Sequence, residues 1–483
     1  VAPRRRPCLG RYSEMPAVGE RIGPFIAAVY TTAARFRLSR FIGATAVWAA
    51  FILASSPLGV AVEPMRDGAS HSEVVERTLA PYDGATLHER PAADLDGRVV
   101  CGYQGWFACP GDGSTRGWVH WGKGPVFAPG ACTIDFWPDV SELDVDERYP
   151  TAFRHRDGRV AEVFSSLNRK TVVRHFRWMR EYGIDGAFVQ RFGGELRSPA
   201  GAYHANVVLA NCRAGANLEG RVWAVMYDLS GLQQGETQRV IDDWKTLVDR
   251  MHVGRDEADR AYLRLDGRPL VAVWGVGFND NRRYTLEECA ALVDFLKNDH
   301  QYGGNAVMVG VPTYWRSQQR DAVDDPLLHE ALEHVDVLSP WSVGRCRDRE
   351  GIETLARDVW RDDLTWCRER GVDYLPVVFP GFSWHNLRSQ SPLGDIPRDH
   401  GAFLWEQYVQ LRKLGVRSAY QAMFDEVDEG TAVFKCTNDP PVGASAFLDF
   451  EGEKSDRYLQ LVGAGGELLR AEVPLSETPP PAP

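Results

Sequence analysis

From Val99 onward the chain repeats one pattern: a short apolar or β-branched run ends in aromatic and polar residues, and an amphipathic stretch follows. The runs are Arg98–Phe107, Asp185–Gly193, Arg221–Asp228, Arg268–Phe278, Asn305–Trp315, Val335–Trp341, Val372–His385 and Val416–Glu426. Between them apolar residues recur at three- and four-residue steps. Val172, Val173, Phe176, Met179 and Tyr182 in TVVRHFRWMREYG form such a face, and TLEECAALVDFLKND and TLARDVWRDDLTWCRERG follow the same rule. Gly183, Gly371 and Gly415 stand where helices should stop.

Buried strands alternating with amphipathic helices require a parallel sheet, and eight repeats is the number that closes a (β/α)8 barrel. The competing reading is an open doubly wound sheet with a second domain. It would need a glycine-rich fingerprint after the first strand, and GYQGWF has aromatics there instead. The expected organisation is an α/β chain with a leader over residues 1–61 and a linker with a lead-in helix near Glu73–Leu79 over 62–96. A single TIM barrel over 97–475 and a disordered tail over 476–483 complete it. Cys109–Val160 becomes a long loop after strand 1. A short element closes the barrel after strand 8, with YLQLVGAGGELLRAEV read as a hairpin turning at Gly463–Gly466.

The leader differs from the rest in charge and hydropathy. Residues 1–61 hold eight Arg against Glu14 and Glu20, and Arg35, Arg37 and Arg40 precede an uncharged run from Phe41 to Val62 that ends in small residues near Ala61. This is the pattern of a cleaved export signal; the other reading is an uncleaved anchor, the one route by which a membrane would be a partner. The whole chain carries a net charge of -11 with its basic residues dispersed, so nucleic acid is not an expected partner. Eight cysteines follow the leader and could pair in an oxidising compartment, Cys109 with Cys132 across the long loop being one arrangement. There is no C-x-x-C or H-E-x-x-H, and no metal or other cofactor is expected.

Reactive groups of a barrel come from the carboxyl ends of its strands. Strand 1 supplies Tyr103, Gln104 and Trp106, strand 2 Gln190 and Arg191, strand 3 Tyr227 and Asp228, strand 4 Trp274 and strand 5 Tyr314 with Trp315. Strand 6 gives Trp341, strand 7 Trp384 and His385, and strand 8 Asp425, Glu426, Asp428 and Glu429. Flat aromatic faces beside polar groups suit sugar rings, so the expected partner is an oligo- or polysaccharide. Four carboxylates in five positions repel one another and raise some of their pKa values, which makes Glu426 and Glu429 a candidate acid–base pair. A non-catalytic carbohydrate-binding barrel and a calcium-dependent hydrolase using the same acidic loop are the alternative readings.

MFDEVDEGTAVFK resembles the (N/D)-E-x-x-E-G-T motif of the glycoside hydrolase family 99 endo-α-mannosidases and of bacterial family 71/99-like proteins. GYQGWF, PVVFPGFSWHNL and SDRYLQLVG are similar to segments of the same group, in the same order, over about residues 97–475. The resemblance implies an exported, retaining glycosidase acting on an α-linked, mannan-like glycan. It gives Glu426 the part of a base toward the sugar 2-hydroxyl, which closes a 1,2-anhydro intermediate. Glu429 becomes the acid at the leaving oxygen and later the base toward water, and Asp425 takes the place of a substrate-binding Asn. The family pattern usually reads N-E-W-H-E, from which Asp425, Val427 and Asp428 depart.

Overall fold

The computed structural model describes residues 63–87, 94–388 and 390–481, so the expected leader lies outside the described residues. Its centre is a parallel sheet of β1 (Val99–Tyr103), β2 (Gly186–Phe192), β3 (Val222–Asp228), β4 (Arg268–Trp274), β5 (Ala306–Pro312), β6 (Val337–Trp341), β7 (Asp373–Tyr374 and Val377–Val378) and β8 (Ala419–Gln421). Each lies inside one of the eight apolar runs. Consecutive strands from β1 to β6 pair in order, and β1 also pairs with β8.

The ring closes through β7, whose first piece pairs with β6 and whose second pairs with β8. Leu375 donates its N–H to Leu338 at 2.8 Å, while the carbonyl of Pro376 accepts from Tyr420 at 2.9 Å. The change of neighbour thus falls at a proline, which has no N–H to leave unpaired.

Helices cover the outside: α2 (Arg169–Glu181) after β1, α3 (Pro199–Glu219), α4 (Thr237–Met251), α5 (Leu286–Asn298), α6 (Pro326–Leu332), α7 (Arg349–Leu355) with α8 (Arg361–Arg370), α9 (Ala402–Lys413) and α10 (Arg457–Leu469). Asn168, Ser198 and Thr285 cap three of them through side-chain oxygens. Gly183, Gly371 and Gly415 follow α2, α8 and α9 with φ of 75°, 67° and 77°, the left-handed conformation that ends a helix and that glycine takes without strain. The loop after β1 is long and irregular and carries one small hairpin, Tyr149–Arg154 with Val160–Val163.

Three expectations are corrected. The segment read as a hairpin is α10, because its glycines serve close packing instead of a turn. A Cβ on Gly463 would stand 1.8 Å from the carbonyl oxygen of Tyr182, and one on Gly465 would stand 2.5 Å from the Tyr408 ring. The lead-in helix expected near Glu73–Leu79 is present as α1 (His71–Thr78), which buries Val74 against Tyr203 and Val207 of α3, and Met65 bonds to Gly113. The tail is held as far as it is described, with Ser476 accepting from Trp405, Glu477 paired with Lys413 and Pro480 accepting from Arg457. The eight cysteines from Cys101 to Cys436 are free and buried. Cys109 and Cys132 do not pair, since their sulfurs turn to different partners, the Phe164 carbonyl and the Ser445 hydroxyl. Among the described residues no helix is long and apolar enough to cross a membrane.

Candidate active site

The acidic segment after β8 sits inside the mouth of the barrel. Glu426 is 3% exposed and accepts hydrogen bonds from the side-chain amide of Gln104, at the end of β1, and from the hydroxyl of Thr431. Glu429 is half-buried and lies beside the indole of Trp384, from the loop after β7. Burial and the neighbouring carboxylates push both upward: Glu426 well above its ordinary value, Glu429 to about 7. Asp428, 3% exposed, lies between them in sequence and is pushed up to about 8 by burial. Asp428 and Glu429 therefore titrate near neutrality, and Glu426, which feels the charge of both, does not titrate independently of them.

The aromatic residues expected around them are mostly present. Trp106 stacks on Phe192 of β2 at 5.2 Å, and Trp274 meets Trp341 edge-on at 5.5 Å. Trp341 continues to Tyr420 of β8 at 6.1 Å, and Gln190 donates to the Tyr420 hydroxyl at 3.2 Å. Asp228 is close enough to help raise Glu429. Burial raises its own pKa, and Arg282 and Ser230 oppose that. Strands β1, β2, β3, β4 and β6 and the segments after β7 and β8 thus contribute to one constellation, with Gln104, Trp106, Gln190, Asp228, Trp274, Trp341, Trp384, Glu426, Asp428 and Glu429 in it.

Other candidates do not belong to it, and strand geometry explains most of them. Side chains alternate across a strand, so the neighbours of inward residues face the helices. Tyr103 is fully buried with its hydroxyl 2.9 Å from His175 of α2. Arg191 makes a bidentate pair with Asp243 of α4, which also accepts from Tyr227. Asp425 is fully buried and spends its two oxygens on the backbone N–H groups of Gln104 and Gly105, at 2.8 and 2.9 Å. Its place is to fix the end of β1 instead of touching a sugar. His385 turns back onto the Ser391 carbonyl, and Trp315 is buried with its N–H on Asp363 of α8. Tyr314 remains half-buried at the end of β5 under Arg320.

His120 was not foreseen. It stacks flat on Trp106, ring centroids 3.8 Å apart and planes 4° from parallel, and its Nδ1 is 3.0 Å from Asp428 Oδ2. Burial and Arg116 push the imidazole pKa down, against Glu195, so a neutral ring faces a protonated Asp428. Nothing in the irregular loop around His120 carries a periodic signal that would have marked it.

No family model and no curated protein matches the sequence. Solved structures do. The family 99 endo-α-mannosidase from Bacteroides thetaiotaomicron superposes with a TM-score of 0.55 at 16% identity, covering 78% of this chain and 98% of that one. The chain has the fold of that glycosidase. A structure described as a glycoside hydrolase-like protein aligns with a TM-score of 0.47 at 12% identity, over 81% of this chain and 98% of the other.

Proposed function

We propose that the protein is a retaining glycoside hydrolase acting on an α-linked, mannan-like glycan, with Glu426 as base and Glu429 as acid. The observation that carries this reading is the placement of both carboxyl groups in one barrel mouth under half-buried tryptophans, with Glu429 pushed up to about 7. A carboxyl that keeps its proton near neutrality can give it to a departing glycosidic oxygen. The reactive form of the pair is the one with Glu426 ionised and the proton on Glu429: Glu426, oriented by Gln104 and Thr431, would take the proton of the sugar 2-hydroxyl as O2 attacks C1 and the leaving oxygen departs with the Glu429 proton. Water then opens the anhydro ring, its proton passing to Glu429 while Glu426 returns one to O2. No enzyme atom becomes bonded to C1. The usual carboxyl spacing of double-displacement enzymes, about 5 to 5.5 Å, is therefore not required.

The arginine-led apolar leader supports export, and a mature N-terminus near Val62 on intact mass would agree with it. The activity itself is tested by incubating the purified protein with α- and β-linked oligosaccharides, Glu429→Gln serving as control. Cleavage confined to α-linked mannosides, and absent in the variant, is expected. Equal binding of glycans with no cleavage by the wild type would overturn the enzymatic reading.

A further inference from the structure

Arginines at the mouth of the barrel lie on aromatic rings. Arg282 covers Trp274 at 4.9 Å, Arg320 covers Tyr314 at 4.3 Å and Arg388 covers Trp384 at 3.4 Å. All three rings follow β4, β5 and β7, whereas the carboxyl groups of the acidic segment follow β8. Arg282 is structurally satisfied: it forms a bidentate pair with Asp280 and donates to the Tyr284 hydroxyl. The buried Arg398, after β7, donates one nitrogen to the carbonyls of Gly430 and Ala432 and is enclosed by the rings of Phe136, Phe450 and Tyr458.

Arg388 is different. Among the described residues its guanidinium has neither a carboxylate within ion-pair distance nor a hydrogen-bond acceptor, although it is half-buried and influences the charge of Glu429. A guanidinium offers five donors in a planar fork suited to carboxylate, sulfate or phosphate. Stacking on Trp384 fixes the plane of that fork, so little side-chain entropy is lost when an anion binds. Arg388 and Trp384 both lie beside Glu429, which places the open fork beside the acid rather than the base.

We propose that Arg388, on its Trp384 platform, binds an anionic substituent carried on the leaving-group side of the glycan. The inference rests on the assignment of Glu429 as acid, which says which side that is. The ligand class is a sugar bearing a carboxylate, sulfate or phosphate, in contrast to a wholly neutral mannan. The two faces of the mouth then divide the work: carboxyl groups handle protons, and the arginine selects the substrate by charge.

The test compares a neutral α-mannobioside with three counterparts carrying a carboxylate, a sulfate or a phosphate on the reducing-end unit. Binding is followed by calorimetry, and cleavage in parallel, for the wild type and for Arg388→Gln and Arg388→Lys. At least one anionic ligand should bind the wild type about tenfold or more tightly than the neutral parent, and more weakly as salt rises. Arg388→Gln should abolish that ratio and Arg388→Lys restore only part of it, because lysine keeps the charge without the fork. The ratio is read because a shift in Glu429 acts on all ligands alike. A wild type that binds the four ligands equally, or a ratio unchanged in Arg388→Gln, overturns the proposal. Binding that follows Arg388 without cleavage of any ligand would uphold the anion site and reject the glycosidase reading.

Discussion

His120 lies flat on Trp106 and directs Nδ1 to Asp428 from 3.0 Å, joining the long loop after β1 to the acidic segment after β8. The imidazole shields Asp428 from water and so helps it keep its proton. In His120→Ala, water reaches the Asp428 carboxyl and its pKa falls, so it is ionised at neutral pH. The new charge raises Glu426 and Glu429, both of which already feel Asp428. Both limbs of the kcat/KM profile should then move to higher pH, by about one unit if the added repulsion is about 1.4 kcal/mol. His120→Phe keeps the stack and the cover, and should shift the profile less.

Leaving-group dependence separates the two glutamates. Glu429→Gln should lower kcat on glycans with poor leaving groups by about 10²–10⁴-fold and spare the glycosylation step of activated aryl glycosides, which need little protonation. Glu426→Gln should lose both substrates, since no intermediate forms without the base. Near wild-type turnover by Glu426→Gln would remove it from the mechanism and leave Asp228 as the next candidate.

Activity on natural linkages should decline as pH rises through about 7, where Glu429 loses its proton. A plateau of kcat/KM extending to about pH 9 on an unactivated glycan would contradict the assignment of the acid.

Stability should fall over the same range, and the direction follows from the proton balance. Asp428 is held near 8 in the folded chain but titrates near its ordinary value of about 4 when unfolded. Its contribution is present in full below about pH 4 and is lost as pH rises toward about 8, because the folded state must give up or pay to ionise a buried carboxyl. Asn keeps the shape without the charge. Asp428→Asn should therefore melt higher than the wild type at about pH 8, with the difference shrinking as the pH is lowered to about 5.

The glycines of α10 test the packing argument. Gly463→Ala would drive a methyl into the Tyr182 carbonyl, and thermal unfolding should show a loss of about 1–3 kcal/mol.

How much of this was legible in the sequence depended on whether the signal was periodic. All eight strands fall within apolar runs, and Glu426, Glu429, Trp106 and Trp384 lie at the barrel mouth because strand ends point there. The same reasoning overcounted where it ignored the two-residue alternation: Arg191 and Tyr227 sit one position from Gln190 and Asp228 and face α4 instead. It read GAGG as a turn because glycine serves both turns and close helix contacts, and only the neighbouring Tyr182 and Tyr408 distinguish them. His120 and Arg388 lie in irregular loops, and their partners Asp428 and Trp384 define them only after the chain has folded.

The divided strand β7 also constrains the order in which the molecule can be completed. Until residues 373–378 are seated, β6 and β8 each present an unpaired edge, and β1 waits for Ala419–Gln421, about 320 positions further along the chain. A chain emerging from the ribosome, or one cut short before residue 372, holds an open sheet able to pair with strands of other molecules. Closure depends on contacts of very long sequence separation, a topology that folds slowly. Truncation before residue 372 should therefore yield aggregate in place of a smaller soluble barrel.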